Sequence, residues 1–368
     1  MCPRRVTRTL VFAAFLLALS LPQPAEAQWQ LASKDGSTNI KIGFLVQPQA
    51  EALETADQQE TSKNLFVRRF RILFSGALSS KWTFFFETDS PNLGKVNPNA
   101  TGATAAKDAG DVFIQDAFVT YNHSDVFKVD VGMIMLPHSR NGTQSAATLL
   151  AVDYGPFTFL DAGPSGERVG RDYGVQLRGY PAKQHLEYRL AVAQGTRGDR
   201  ATNPLRVSGR AVYYPFGAET GFFYGGTFQG TKKQVGIGAG FDAQDDHRIY
   251  SADAFAEFPV EGRREGVTLQ ANWMHYDGGT FLPALPEQDA YLVEAGYHVF
   301  NHRLSPFVQY QARRYANPAS ADQDQTLFGA AYWLAGHQRN IKLAGGWQHV
   351  EGQPNRFMAV LQLQIFYF

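Results

Sequence analysis

The chain has 368 residues with 34 Lys and Arg against 34 Asp and Glu, so its bulk charge argues for neither nucleic acid nor any single class of charged partner. Its one cysteine is Cys2, which leaves no disulfide framework and no thiolate metal site downstream. With 28 Phe, 16 Tyr and 35 Gly and little long helical periodicity, the composition points to an all-β chain.

Residues 1–27 read as a cleaved secretory signal peptide: Arg4, Arg5 and Arg8, an apolar run from Leu10 to Leu21, then Ala25-Glu26-Ala27 in a small-x-small pattern. The apolar run falls short of the roughly 20 residues that a spanning helix needs. Residues 28–368 are then expected to form one domain. No later apolar run is long enough to span as a helix, so any membrane insertion has to be by strands.

From Ile40 onward, segments of about ten alternating residues follow one another. Ile40, Ile42, Phe44 and Val46 alternate with Lys41, Gly43, Leu45 and Gln47; Phe66, Phe70, Ile72 and Phe74 alternate with Val67, Arg69 and Arg71; Trp82, Phe84 and Phe86 alternate with Thr83, Glu87 and Asp89. Similar segments recur at residues 112–121, 127–135, 173–179, 186–194, 205–213, 250–258, 267–276, 291–299, 305–313, 326–334 and 341–350. Strands of this length, tilted by roughly 40°, rise about 25–28 Å, the height of the apolar band of an outer-membrane barrel. Tight turns such as Asn122 to Asp125 alternate with long stretches such as Ser90 to Gly110 and Pro137 to Gly170, as in such barrels.

The expected fold is therefore a transmembrane antiparallel β-barrel. About 17 segments qualify, and bacterial barrels carry an even number. Reading Phe222 to Phe228 and Val235 to Phe241 as one strand broken by a bulge near Gly230 to Lys233 gives 16 strands; an undetected strand would give 18. The last segment, Arg356 to Phe368, places Phe357, Ala359, Leu361, Leu363, Ile365 and Tyr367 on one face and Gln362 and Gln364 on the other. Phe368 falls on the glutamine phase, so a slip in alternation is expected near Phe366, or a bend at the last residue.

Lipid-facing arginine costs about 2–4 kcal/mol near mid-membrane, which turns Arg69 and Arg71 into the lumen and leaves Arg68 on the lipid phase, snorkelling near the outer rim. The same test turns Lys128, Arg178, Arg189, Arg206 and Arg210 inward, along with Glu87, Asp89, Asp116, Asp130, Glu187 and Asp253. Inward arginines are either ligands for oxyanions, which their guanidinium forks match, or partners of the inward carboxylates that stiffen the wall.

Phe66-Val-Arg-Arg-Phe-Arg-Ile72, Gln115-Asp-Ala-Phe-Val-Thr-Tyr121, Val131-Gly-Met-Ile-Met-Leu-Pro137, Gly170-Arg-Asp-Tyr-Gly-Val-Gln-Leu-Arg-Gly179 and Gln309-Tyr310, in this order and spacing, resemble the phosphate-selective porin O and P family of Gram-negative outer membranes. The resemblance covers most of the chain after residue 27. It implies a 16-stranded barrel, a homotrimer in outer-membrane lipid and lipopolysaccharide, passive diffusion of small anionic or hydrophilic solutes, and a long third loop folded into the lumen. That loop corresponds to Pro137 to Gly170, with His138, Arg140, Asp153, Asp161, Glu167 and Arg168 as its constriction candidates. Its several acids and few bases mean that phosphate selectivity does not come with the resemblance.

No cofactor or metal is expected, since the nine histidines lack ligand spacing and Asp245-Asp246-His247 reads as a loop charge cluster. Gly236-Ile-Gly-Ala-Gly240 alternates with Val235, Ile237, Ala239 and Phe241, which makes it a strand with a glycine face and not a dinucleotide loop. The expected function is an anion-leaning porin, with phosphate or similar oxyanions as candidates. The alternatives are a general or cation-leaning porin, a barrel enzyme, for which His138-Ser139 lacks an orienting partner, and a β-rich surface adhesin.

Overall fold

Runs of branched and aromatic side chains at period two pack well on a pleated surface, and here they close into a ring. The computed structural model describes residues 29–96, 111–159, 170–200 and 202–368, so the expected signal peptide lies outside the described residues. In chain order the strands are β1 (Trp29–Ala32), β2 (Asn39–Glu54), β3 (Thr61–Ala77), β4 (Trp82–Asp89), β5 (Phe113–Ser124) and β6 (Phe127–Met135). Then come β7 (Arg171–Gly179), β8 (Leu186–Ala193), β9 (Arg206–Tyr213), β10 (Gln234–Gln244), β11 (His247–Pro259) and β12 (Gly266–Asp277). The last five are β13 (Gln288–His298), β14 (Leu304–Tyr315), β15 (Gln323–Ala335), β16 (Arg339–Val350) and β17 (Arg356–Tyr367).

Each strand from β2 onward pairs antiparallel with the next, and β17 closes on β2 with Met358 opposite Leu53 and Tyr367 opposite Phe44. This is a closed 16-stranded barrel without a free edge. The short β1 pairs with the start of β2, Trp29 opposite Ile42, beyond the point where β17 ends. No sequence signal had marked it.

Along β16, Asn340, Lys342, Ala344 and Gly346 are buried, while Leu343 and Trp347 are 58% and 51% exposed. The same alternation around the ring leaves Val293, Ile237 and Phe328 outward and more than half exposed. An apolar belt of this extent fits hydrocarbon far better than water.

Three features differ from the expectations. Phe222 to Phe228 is not part of a strand: it lies in the connection between β9 and β10, and β10 alone supplies that stave. The count of 16 therefore holds without the bulge once placed there. The last strand does not slip either, because its pairing with β2 and β16 stays in register to its end. Gln362, Gln364, Phe366 and Phe368 share the inner face, and the Phe368 ring meets Phe85 edge-on at 5.9 Å. Finally, β3 carries a bulge where Val46 opposes Phe70 but Pro48 opposes Val67, so Arg68 and Arg69 together face Gln47. Alternation inverts across it. Phe66 is buried on the inner side, and Arg68 turns inward instead of snorkelling in lipid.

The lipid-facing assignment predicts that Leu343→Arg lowers the unfolding free energy by about 2–4 kcal/mol in urea titrations in lipid vesicles. An unchanged midpoint would contradict it.

Candidate functional site

All seven of the wall cations singled out in the sequence lie on the inner face. Six of them are buried, and each of the six is held by a carboxylate. Arg71 donates to Glu87 at 2.7 Å and Asp89 at 2.8 Å. Arg178 pairs with Asp130 at 2.8 Å, Arg189 with Glu187 at 2.5 Å, Arg206 with Asp242 at 2.6 Å and Arg210 with Asp253 at 2.5 Å. Lys128 is half-buried, 3.2 Å from Asn122 Oδ1 and 3.8 Å from Asp125. Arg171, which the sequence reading had not singled out, grips Asp116 through two 2.9 Å bonds.

Register explains why so many acids are needed. Lys128 opposes Arg178, Arg178 opposes Arg189, and Arg189 opposes Arg210, forming a row of like charges across β6 to β9. Directly opposed like charges destabilise a sheet, and a buried charge stripped of its partner costs about 3–5 kcal/mol. Asp130, Glu187 and Asp253 neutralise the three arginines of the row.

The bulge in β3 builds a different arrangement. Arg68 Nε and Arg69 Nη2 both donate to Asp153, each at 2.5 Å, so one carboxylate serves two guanidiniums. Burial acts to raise the Asp153 carboxyl, and the two guanidiniums outweigh it, holding the group well below the usual carboxylate range. Arg69 also donates to Gln47 at 2.9 Å and lies 5.2 Å from the Tyr154 ring centre. A signal for this bulge was present: Pro48 cannot donate to a ladder, so a central strand tolerates it only at such an irregularity.

Asp153 belongs to the connection between β6 and β7, whose residues 136–159 touch inward side chains of β2, β3, β11 and β14 to β17. The Lys342 ammonium donates to the Leu149 and Ala151 carbonyls at 2.6 and 2.8 Å. Leu150 and Val152 pack against Phe307, Trp333 and Met358, and Ala146 and Tyr154 against Leu45 and Leu73. A helical turn, Arg140–Thr143, is capped by the Ser139 hydroxyl, and the Arg140 amide donates to Asp253 at 3.1 Å. His138 is buried, its backbone carbonyl accepts from Ser251, and neither ring nitrogen has a hydrogen-bond partner. Burial pushes its imidazole down to about 4, so it is neutral at pH 7. Asp161, Glu167 and Arg168 lie outside the described residues.

A second connection, residues 214–233 between β9 and β10, reaches the same space from the short-turn end. Arg189 donates to the Phe222 and Gly221 carbonyls at 2.6 and 3.2 Å, and the Tyr224 ring lies 4.7 Å from its guanidinium. Glu219 pairs with Arg140 at 2.8 Å, which joins the two connections. On the far side, the Thr227 carbonyl meets His337 Nε2 at 3.0 Å, and Glu257 accepts from the Phe228 and Gly230 amides at 2.8 Å each.

The glycine face of β10 makes this packing possible. A Cβ at Gly238 would strike the Arg210 guanidinium, and one at Gly240 the His138 carbonyl. His247, expected in a loop, instead begins β11 and meets Asp242 at 3.0 Å. Among the described residues no group of three His, Cys, Asp or Glu side chains is placed to hold a metal ion.

The fold is shared with outer-membrane porins. An anion-selective porin from Comamonas acidovorans superposes over 90% of this chain and 100% of its own at 12% identity, with a TM-score of 0.58. OmpF of Salmonella typhi, solved with daunomycin, matches over 92% and 100% at 14% identity and a TM-score of 0.59. The trimer form of OmpT from Vibrio cholerae matches over 90% and 100% at 10% identity and a TM-score of 0.52. No curated protein matches the sequence. The model of the family called phosphate-selective porin O and P matches residues 40–225, half of the chain, and with the closed barrel and its charged inner face this shows that the chain belongs to that family.

Proposed function

We infer that this outer-membrane channel passes small hydrophilic solutes down their concentration gradients and prefers anions, with phosphate or a similar oxyanion among the candidates. The observation that carries the preference is the shared carboxylate. Arg68 and Arg69 converge on Asp153 alone, which leaves one positive charge in excess at that carboxylate, while the matching surplus carboxylate sits further along β3, where Arg71 is held by both Glu87 and Asp89. The neighbouring Glu51 is committed to Lys95 at 3.0 Å, so it does not cancel that excess. The remaining buried wall arginines have carboxylate partners and serve the wall more than the solute. The anion-selective neighbour from Comamonas acidovorans supports the same direction.

In this reading the β6–β7 connection narrows the pore, held by Lys342 of β16 and, through Asp153, by Arg68 and Arg69 of β3. The protein carries no catalytic chemistry, is exported by cleavage of residues 1–27, and assembles as a trimer in lipid and lipopolysaccharide. The trimer form of the Vibrio cholerae neighbour supports the assembly.

In a planar bilayer with a KCl gradient, the reversal potential is expected to report anion preference. Arg68→Gln should reduce the chloride-to-potassium permeability ratio roughly two- to fivefold, the effect of about 1 kcal/mol or less from one partly screened charge. Cation preference in the unaltered protein would overturn the reading. Hydrogen bonds from a charged donor are worth about 1.5–3 kcal/mol each, so Lys342→Met should loosen the connection and raise open-channel current noise. Noise and conductance equal to those of the unaltered channel would show that Lys342 does not hold the constriction.

A further inference from the structure

A water-filled lumen has little use for phenylalanine, yet five phenylalanines gather at its short-turn end. Phe85 of β4 lies 5.7 Å from Phe118, 5.4 Å from Phe223 and 5.9 Å from Phe368, ring centre to ring centre. Phe222 stacks on Phe118 at 4.2 Å. These rings come from β4, β5, the β9–β10 connection and the chain end, and they line a cavity of about 630 Å³. That volume lies in the range of about 300–1,000 Å³ typical of small-molecule sites.

The charged side chains that line the same cavity are both cationic. Lys41 borders it, half-buried and without an ion-pair partner among the described residues, unlike the buried arginines of the wall. The Ser75 and Thr83 hydroxyls and Gln30 line it as well. The other cation there, Arg178, is already committed to Asp130. One free ammonium beside ring faces and hydroxyls complements a carboxylate attached to an aromatic ring: the charge meets Lys41, and the ring is removed from water among the phenylalanines.

We propose that this cavity is a solute subsite for small aryl carboxylates at the short-turn mouth of the pore. It refines the solute class of the anion-preferring channel inferred above and rests on that reading. Phe222 and Phe223 reach the site only because the β9–β10 connection enters the barrel, so the connection acts as a wall of the subsite.

The test is a titration of sodium phenylacetate against sodium acetate at constant ionic strength, on the purified full-length protein in a planar bilayer. Phenylacetate is expected to reduce the open-channel current at a half-effect concentration about tenfold below that of acetate, as burial of part of a ring implies. Phe222→Ala and Lys41→Gln should each bring the ratio close to one, with folding of both variants checked by heat-modifiable mobility in gels. Equal effects of the two anions on the unaltered channel, or a ratio that survives both substitutions, would overturn the subsite. In either case normal conductance steps in KCl would leave the porin reading standing, whereas absence of any steps would overturn both.

Discussion

Every charged side chain of a strand ring set in hydrocarbon has one favourable direction, and the rest of this structure depends on that. Outward, an arginine near mid-membrane costs about 2–4 kcal/mol; inward but buried without a partner, a charge costs about 3–5 kcal/mol. The wall meets both demands by pairing. Arg71, Arg178, Arg189, Arg206 and Arg210 each hold a carboxylate within 2.8 Å. The number of inward arginines therefore overstates the charge offered to a solute, and the exceptions to pairing matter more than the total.

Those exceptions are few and local. A bulge midway along β3 brings Arg68 and Arg69 to a single aspartate, and at the short-turn mouth Lys41 stands free beside a cluster of phenylalanines. Between them, the β6–β7 and β9–β10 connections meet through Arg140 and Glu219. The middle of the pore and its short-turn mouth consequently differ in chemistry. One offers guanidinium and carboxylate, and the other offers an ammonium and ring faces.

Alternation at period two was legible in the sequence and carried most of the fold: the strands, their facing and the inner placement of the acids around Glu87, Asp116, Asp130 and Asp253. Local irregularities were not. The inversion at Arg68 depends on a pairing partner, Gln47, that is distant in sequence, although Pro48 marks the place. Phe222 to Phe228 alternates like a strand, but its aromatic residues pack on Arg189 and Phe118 inside the barrel, and tertiary contact overrides the pattern. Phe368 looked out of phase only because an aromatic residue was assumed to face lipid. Lys342 gave no signal, since its partners are backbone carbonyls of a remote connection.

Opposite surroundings for successive residues are the most direct expression of this account, and β16 shows them in their simplest form. With Cys2 replaced, probes on single cysteines at residues 341 to 346 of protein in lipid vesicles can be compared for quenching by a lipid-soluble quencher. The account predicts that probes at 341, 343 and 345 are quenched from lipid, whereas those at 342, 344 and 346, whose side chains are turned inward and buried, are shielded from it. The same quenching at all six positions would contradict a lumen that gathers charge inside a lipid-facing ring.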